Sequence, residues 1–223
     1  MPLRLAILAS GNGSNAQAMI SAMQAGTLHI EIPLIASNNP KAYVLTRAEK
    51  AGIPTYAFDH RDFKDRESCD RAIVARIREA NCDAVALAGY MRLLSHTFLT
   101  EFGGPVLNLH PALLPSFPGL HGARDALAYG VTITGATVHF VDEKMDNGPI
   151  IIQAAIPIRP NESEDELLSR IHALEHRIYP QAIEWLAQGR LVRKGRIVTL
   201  TGKGKPGIQP ESALISPELE EGM

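Results

Sequence analysis

Short apolar runs alternate along the chain with stretches whose apolar residues recur every three or four positions, which is the mark of buried strands alternating with amphipathic helices. Leu3 to Ala9 predicts a buried strand, the turn Ser10-Gly11-Asn12-Gly13-Ser14-Asn15 follows, and Ala16, Met19, Ile20 and Met23 then share one helical face. The order repeats: a strand at Ile32 to Ala36, a helix at Ala42 to Ala51 closed by Gly52, and a short strand at Thr55 to Phe58. Arg66 to Ala80 reads as a helix with Ile73 and Ile77 on one face, Ala84 to Ala88 as a strand, Ser95 to Phe102 as a short helix and Val106 to His110 as a strand. Such alternation predicts an α/β fold, a mostly parallel twisted sheet with helices on both faces.

After Pro111 the pattern changes. The segment from Pro111 to Leu120 holds three prolines in ten residues, which excludes a helix interior or a central strand and predicts a rigid loop. A short helix (Ala123 to Tyr129) precedes two β-rich runs, Ile133 to Val141 and Ile150 to Ile158, joined by the polar loop Asp142 to Pro149, so this part of the sheet is expected to be mixed or antiparallel. Ser163 and Glu166 form a capping box for a long helix reaching Leu186, and Leu191 to Leu200 reads as a hairpin around Lys194 and Gly195. From Thr201 to Met223 the chain has four Gly, three Pro and no periodicity, which predicts a mobile tail. The expected organisation is one domain over residues 1–200, in halves of about 1–103 and 104–200, followed by that tail.

Composition narrows the function classes. With 22 Lys plus Arg against 24 Asp plus Glu, the net charge of −2 makes no global electrostatic case for a nucleic-acid or anionic-membrane partner, so any anion needs a local pocket. Cys69 and Cys82 have neither disulfide-framework nor metal-ligand spacing, which points to a reducing cytoplasm. The longest apolar run, Ala84 to Met91, is too short to span a bilayer, and Leu3 to Ala9 lacks a charged flank and a cleavage site.

Two local patterns carry chemistry. Gly11 to Ala16 lies between a strand and a helix, where glycines permit a tight turn and the first helical N–H groups face an anion. The dinucleotide reading of this GxGxxA run wants an acid at the end of the second strand, where Ser37, Asn38 and Asn39 stand instead, and no Gly-Lys-Ser/Thr follows for a nucleotide P-loop. A monophosphate held by Gly13, Ser14 and Asn15 remains, beside the plain alternative of a tight turn with a capped helix. At the second pattern, Asn108 and His110 alternate with Leu107 and Leu109, so the amide and imidazole share one face at the carboxyl end of a strand that Pro111 terminates. An amide donor beside a histidine suits oxyanion stabilisation and proton movement; a polar pair bracing the proline loop is the structural alternative.

The Ser10–Asn15 turn, the run Leu87 to Ser95, the segment Leu107 to Gly122 and the run Gly135 to Ile151 occur in an order and spacing that resembles the glycinamide ribonucleotide formyltransferases of purine biosynthesis, from about Leu3 to Leu191. The resemblance implies a Rossmann-like formyltransferase fold. It implies transfer of a formyl group from 10-formyltetrahydrofolate to the amine of 5-phosphoribosylglycinamide, without a metal and by a monomer or homodimer. By the same resemblance Asn108, His110 and Asp146 are a catalytic trio, Gly13, Ser14 and Asn15 bind the substrate phosphate, and Glu175 lies at its ribose or amine side. Arg66, Met91, Arg92, Leu93 and Leu94, with Asn108 and the run Asp142, Glu143, Lys144, Met145 and Asp146, are implied to line the folate site. Taken alone, Met91, Leu93 and Leu94 also read as core, Arg66 and Arg92 as solvated charges and Asp146 as a turn residue. His172 and Thr137 stand where the family often has Gln and Ser.

Other readings compete. His172-Ala173-Leu174-Glu175-His176 matches the HxxEH zinc-protease motif, with both histidines on one helical face, yet only 47 residues follow to supply a third ligand. A noncatalytic nucleotide-binding module would bind a phosphoribosyl ligand without a folate site. Within the folate-dependent group, a methionyl-tRNA formyltransferase or a formyltetrahydrofolate deformylase would be expected to carry a further domain.

Overall fold

The computed structural model describes residues 1–223. In its first half, β1 (Leu3–Leu8), α1 (Ser14–Ala25), β2 (Ile30–Ser37), α2 (Tyr43–Lys50), β3 (Thr55–Ala57), α3 (Arg66–Glu79), β4 (Ala84–Leu87), α4 (His96–Phe102) and β5 (Val106–His110) follow the alternation expected from the apolar pattern. The second half contributes α5 (Gly122–Tyr129), β6 (Ile133–Phe140), β7 (Ile150–Pro157), α6 (Glu164–Ala187), the pair β8 (Leu191–Lys194) and β9 (Ile197–Leu200), and β10 (Leu214–Ser216).

Eight strands form one sheet in the order β10-β7-β6-β5-β4-β1-β2-β3, while β8 and β9 pair separately. The five strands β3, β2, β1, β4 and β5 run parallel, and β6, β7 and β10 add antiparallel pairings. Side chains of β1 alternate between the faces: Leu5 and Ile7 enter the larger core, shared with α1 and α6, whereas Ala6 and Leu8 enter the smaller core with α3 and α4. Burial on both faces explains why these strands read as near-continuous apolar runs. The chain leaves β1 toward β2 on one side and reaches β4 on the other, so the carboxyl ends of β1 and β4 border a topological switch point, where sheets of this kind place ligands.

The longest helix, α6, begins at the expected capping box, with Ser163 and Glu166 each hydrogen-bonded to the other's backbone N–H. It runs through Pro180 without ending. Beside that proline the hydroxyl of Tyr179 lies 3.1 Å from the Leu87 carbonyl oxygen and 3.0 Å from that of Leu107, which anchors the helix to adjacent strand ends.

The expectation of a mobile tail from Thr201 to Met223 is corrected by the fold. Leu214, Ile215 and Ser216 pair antiparallel with Ala155, Ala154 and Gln153 and cover the edge of β7. Ile215 and Leu219 are buried, Arg190 holds Glu220 through two bonds of 2.7 Å, and Glu220 N–H donates to Gln181 Oε1 at 2.8 Å. Burial of Ile215 and Leu219 contributes roughly 1.5–3 kcal/mol each. A chain ending at Gly202 is therefore expected to unfold at a clearly lower urea concentration, and Leu219→Ala alone to cost about 2–5 kcal/mol. An unchanged unfolding midpoint for the shortened chain would show that the docked segment adds nothing.

Candidate active site

The loop after β1 turns at Gly13, whose φ of 74° lies in the left-handed region and whose Cβ, if it had one, would stand 2.5 Å from Val44 Cγ2. Helix α1 starts at once, with no side-chain cap on its first-turn N–H groups. Arg47 of α2 grips the loop from outside, donating to the Asn12 carbonyl at 2.8 Å and to Asn12 Oδ1 at 2.9 Å. From the other side Asn15 Nδ2 donates to Glu175 Oε2 of α6 at 2.9 Å. Burial pushes the Glu175 carboxyl above its ordinary value, opposed by the Asn15 hydrogen bond and by the charges of His172 and His110. Nothing in the local sequence around Arg47 marks it for this role; only the packing of α2 beside the loop brings it there.

The β1 and β4 loops are tied together: Ser10 N–H donates to the Gly89 carbonyl at 3.0 Å, and Met91 N–H to Ser10 Oγ at 2.8 Å. Beyond them opens a cavity of about 520 Å³, a size suited to a small organic ligand. All the residues expected at a folate site line it: Arg66, Met91, Arg92, Leu93, Leu94, Asn108 and the run from Asp142 to Asp146. Met91 and Leu93 are 58% and 52% exposed, so the alternative that placed them in the core fails. Gly13, Ser14, Asn15 and Glu175 stand outside this lining. His96 also lines the cavity and pairs with Glu143 at 2.7 Å, a contact that joins α4 to a loop 47 residues away.

One cavity wall brings Asn108, His110 and Asp146 together. The Asp146 side chain is 9% exposed and that of His110 only 3%. Asp146 Oδ2 accepts from Gly119 N–H at 2.8 Å and faces His110 Nδ1 at 3.5 Å. Its Oδ1 accepts from Asn108 Nδ2 at 3.3 Å. The other His110 nitrogen, Nε2, donates to the Phe117 carbonyl at 2.7 Å, so the proline loop closes directly over the ring. With a carbonyl at one nitrogen and a carboxylate at the other, a ring carrying both protons can donate to each.

Two buried residues behind this wall set its geometry. His139 donates from Nδ1 to the Phe140 carbonyl at 2.8 Å, and its Nε2 lies 3.2 Å from Asn108 Nδ2. Burial lowers the His139 pKa, which favours a neutral ring whose Nε2 accepts from the amide. The Asn108 amide is thereby oriented by an acceptor on each side. Thr137 Oγ1 donates to the Ala112 carbonyl at 2.7 Å and accepts from Leu114 N–H at 3.1 Å and from Gln153 Nε2 at 3.0 Å, pinning the start of the proline loop. Only the pairing of β5 with β6 reveals what these two residues hold.

The histidines of the zinc-like motif stack at 6.5 Å between ring centroids and converge with no third His, Cys, Asp or Glu in a metal-binding arrangement. No helix is long and apolar enough to cross a membrane.

Known proteins share this architecture. Residues 3–183 match the formyl transferase family model. Phosphoribosylglycinamide formyltransferase of Escherichia coli is 41% identical over 204 residues, covering 92% of this chain and 96% of its own length. The Bacillus subtilis enzyme of the same name is 40% identical, covering 82% of this chain and 94% of its own. The trifunctional purine biosynthetic protein adenosine-3 of Drosophila melanogaster is 46% identical over 188 residues, but the match spans only 14% of that longer protein. Among solved structures, glycinamide ribonucleotide transformylase 1 of Symbiobacterium toebii superposes with a TM-score of 0.89 at 42% identity, over 90% of this chain and 95% of the other. Fold, motif order and identity over nearly the full length of the bacterial enzymes agree, and the chain belongs to the formyl transferase family, in its phosphoribosylglycinamide formyltransferase branch.

Proposed function

We propose that this chain transfers a formyl group from 10-formyltetrahydrofolate to the amino group of 5-phosphoribosylglycinamide in purine biosynthesis. The observation that carries the reading is the meeting of Asn108, His110 and Asp146 on the wall of a cavity bordered by the loop after β4. Free thiols at Cys69 and Cys82, the latter pushed up to about 11 by burial, suit a reducing cytoplasm.

The substrate amine attacks the formyl carbon, giving a tetrahedral species with negative charge on oxygen and positive charge on nitrogen. Asn108 and protonated His110 stabilise the oxygen. Asp146 supports the imidazolium and relays the ammonium proton, after which the C–N bond to the folate breaks and its nitrogen takes a proton. No covalent enzyme intermediate is required. In the structure Asn108 Nδ2 is shared between Asp146 and His139, and His110 Nε2–H is held by Phe117, so the formyl oxygen has to take these donors over. Moving the Phe117 carbonyl aside releases the His110 donor. Gly13, Ser14 and Asn15 hold the phosphate on the first turn of α1, Glu175 lies between them and the reacting amine, and the exposed Met91 and Leu93 offer an apolar wall to the pterin and its linker.

Mixing the protein with 10-formyltetrahydrofolate should give loss of the formyl donor only when 5-phosphoribosylglycinamide is present; loss at the same rate without the amine would replace transfer by hydrolysis. Asp146→Asn is expected to lower kcat by roughly 10²–10⁴ with little change in KM for the phosphorylated amine. Near-normal kcat in that variant removes Asp146 from the mechanism. Gly13→Ala places a methyl group against Val44 at a left-handed position, so KM for the phosphorylated amine should rise about tenfold or more while folate KM stays nearly constant. Steady-state kinetics with each substrate varied in turn separates the two effects.

A further inference from the structure

The cavity wall that follows β4 has few bonds of its own. As far as Gly89 the chain is laddered to β1 and its loop, through Ala88 N–H to the Leu8 carbonyl at 2.8 Å and Ser10 N–H to the Gly89 carbonyl at 3.0 Å. Beyond it the peptide groups of Arg92, Leu93 and Leu94 make no hydrogen bond within the chain, and the Tyr90 hydroxyl and Arg92 Nε are buried without a partner. Tyr90 and Leu94 pack on the smaller core, while Met91 and Leu93 are exposed. Apolar packing is non-directional, so it sets the depth of this segment but not the direction of its peptide groups.

Two side chains from other elements supply that direction. Ser10 Oγ accepts from Met91 N–H at 2.8 Å and donates to Asn38 Oδ1, just past β2, at 2.5 Å. The hydroxyl proton is committed to Asn38, which leaves the oxygen's lone pairs for Met91. Asn38 stands where a dinucleotide site wants an acid, and its carbonyl oxygen is engaged by Ser10 instead. At the far end of the segment Asp70 of α3 accepts from Ser95 N–H at 2.7 Å, and Ser95 Oγ accepts from Phe98 N–H at 3.2 Å to start α4. Asp70 is 1% exposed, and this is the one hydrogen bond its side chain makes within the chain. A carboxylate so buried gives up more on leaving water than one hydrogen bond returns, so stability does not explain its presence.

We propose that Ser10 and Asp70 are positioning residues for the folate co-substrate, the two points that fix the cavity wall from Met91 to Ser95 before the ligand arrives. This rests on the reading of the cavity as the folate site. Neither side chain lines the cavity, so each acts through the backbone it holds. A wall already fixed loses less freedom when a ligand settles on Met91 and Leu93, and the two holds therefore act on affinity for the folate. The rest of the site has separate supports. Asn12 is gripped by Arg47 and Asn15 is bonded to Glu175, while Asp146 is bonded to Gly119 and Asn108. Loss of either hold thus spares the phosphorylated amine and the transfer step.

Steady-state kinetics with each substrate varied in turn should show KM for 10-formyltetrahydrofolate raised roughly tenfold in Ser10→Ala and in Asp70→Ala, with kcat and the amine KM within about threefold of wild type. Asp70→Asn and Asn38→Asp keep the accepting oxygen and should restore near-normal KM for the folate. Ser10→Ala, at a half-buried position, decides the matter if Asp70→Ala does not fold. Unchanged folate KM in the alanine variants, an equal rise for both substrates, or an Asp70→Asn as impaired as Asp70→Ala would overturn the proposal. Calorimetric binding of 5-formyltetrahydrofolate, whose formyl group sits away from the transfer nitrogen, separates the two readings. Equal binding by wild type and the alanine variants overturns the positioning role alone. Binding that weakens in the variants of a protein unable to formylate the amine overturns the proposed activity and leaves the positioning role standing, whereas no binding by the wild type overturns both.

Discussion

A carboxylate buried as deeply as that of Asp146 needs a partner for each oxygen, because a lone charge removed from water costs several kcal/mol or more. This end of the sheet is arranged around that requirement. Gly119 comes from the proline loop and His110 and Asn108 from the end of β5, so one side chain ties its own loop to two other segments of the chain. Asp146 adopts a φ of 50°, a left-handed conformation costing a non-glycine residue about 1–3 kcal/mol, which persists because the surroundings fix it. Two residues later Gly148 lies so close to the Phe140 carbonyl that any Cβ would overlap it. The loop is thereby seated on the end of β6, and the carboxylate has little freedom to leave its partners.

The same network explains why an antiparallel extension follows the parallel sheet. In a purely parallel arrangement the strand beside β5 would run in the same direction and project its own carboxyl-end loop toward the site. Antiparallel β6 instead brings His139 opposite Asn108 and Thr137 opposite His110, which supplies the buried acceptors and donors that hold the amide and the proline loop. The chain then turns through Asp142 to Pro149 and returns as β7, so the loop carrying Asp146 lies at the cavity rim.

Legibility from the sequence followed the range of the interactions. The strands, the helices and the proline loop were readable because burial on two faces, one-sided packing and proline chemistry leave local signatures, and the alternation in Leu107 to His110 correctly placed Asn108 and His110 on one face. The tail was misread because Leu214 to Ser216 is too short to show a period, and its order comes from the edge of β7, some sixty residues earlier in the chain. Arg47 and His96 were passed over for a related reason: each lies on a helix where an isolated cation or imidazole is ordinary, and each acquires its partner only through tertiary packing. The cavity lining around Met91 and Leu93 has no local signature, since both look like core until their exposure is known.

Glu175 links the loop after β1 to helix α6. It belongs to the helix that Tyr179 anchors against the carbonyls of Leu87 and Leu107, so its position is referred to the same strands that carry the β4 loop and Asn108. Its carboxylate is held by Asn15 of the loop after β1 and feels the charges of both His172 and His110. Burial favours its neutral form, while those partners favour its charged form. One carboxyl group is thereby coupled both to a ring on its own helix and to a ring at the end of β5.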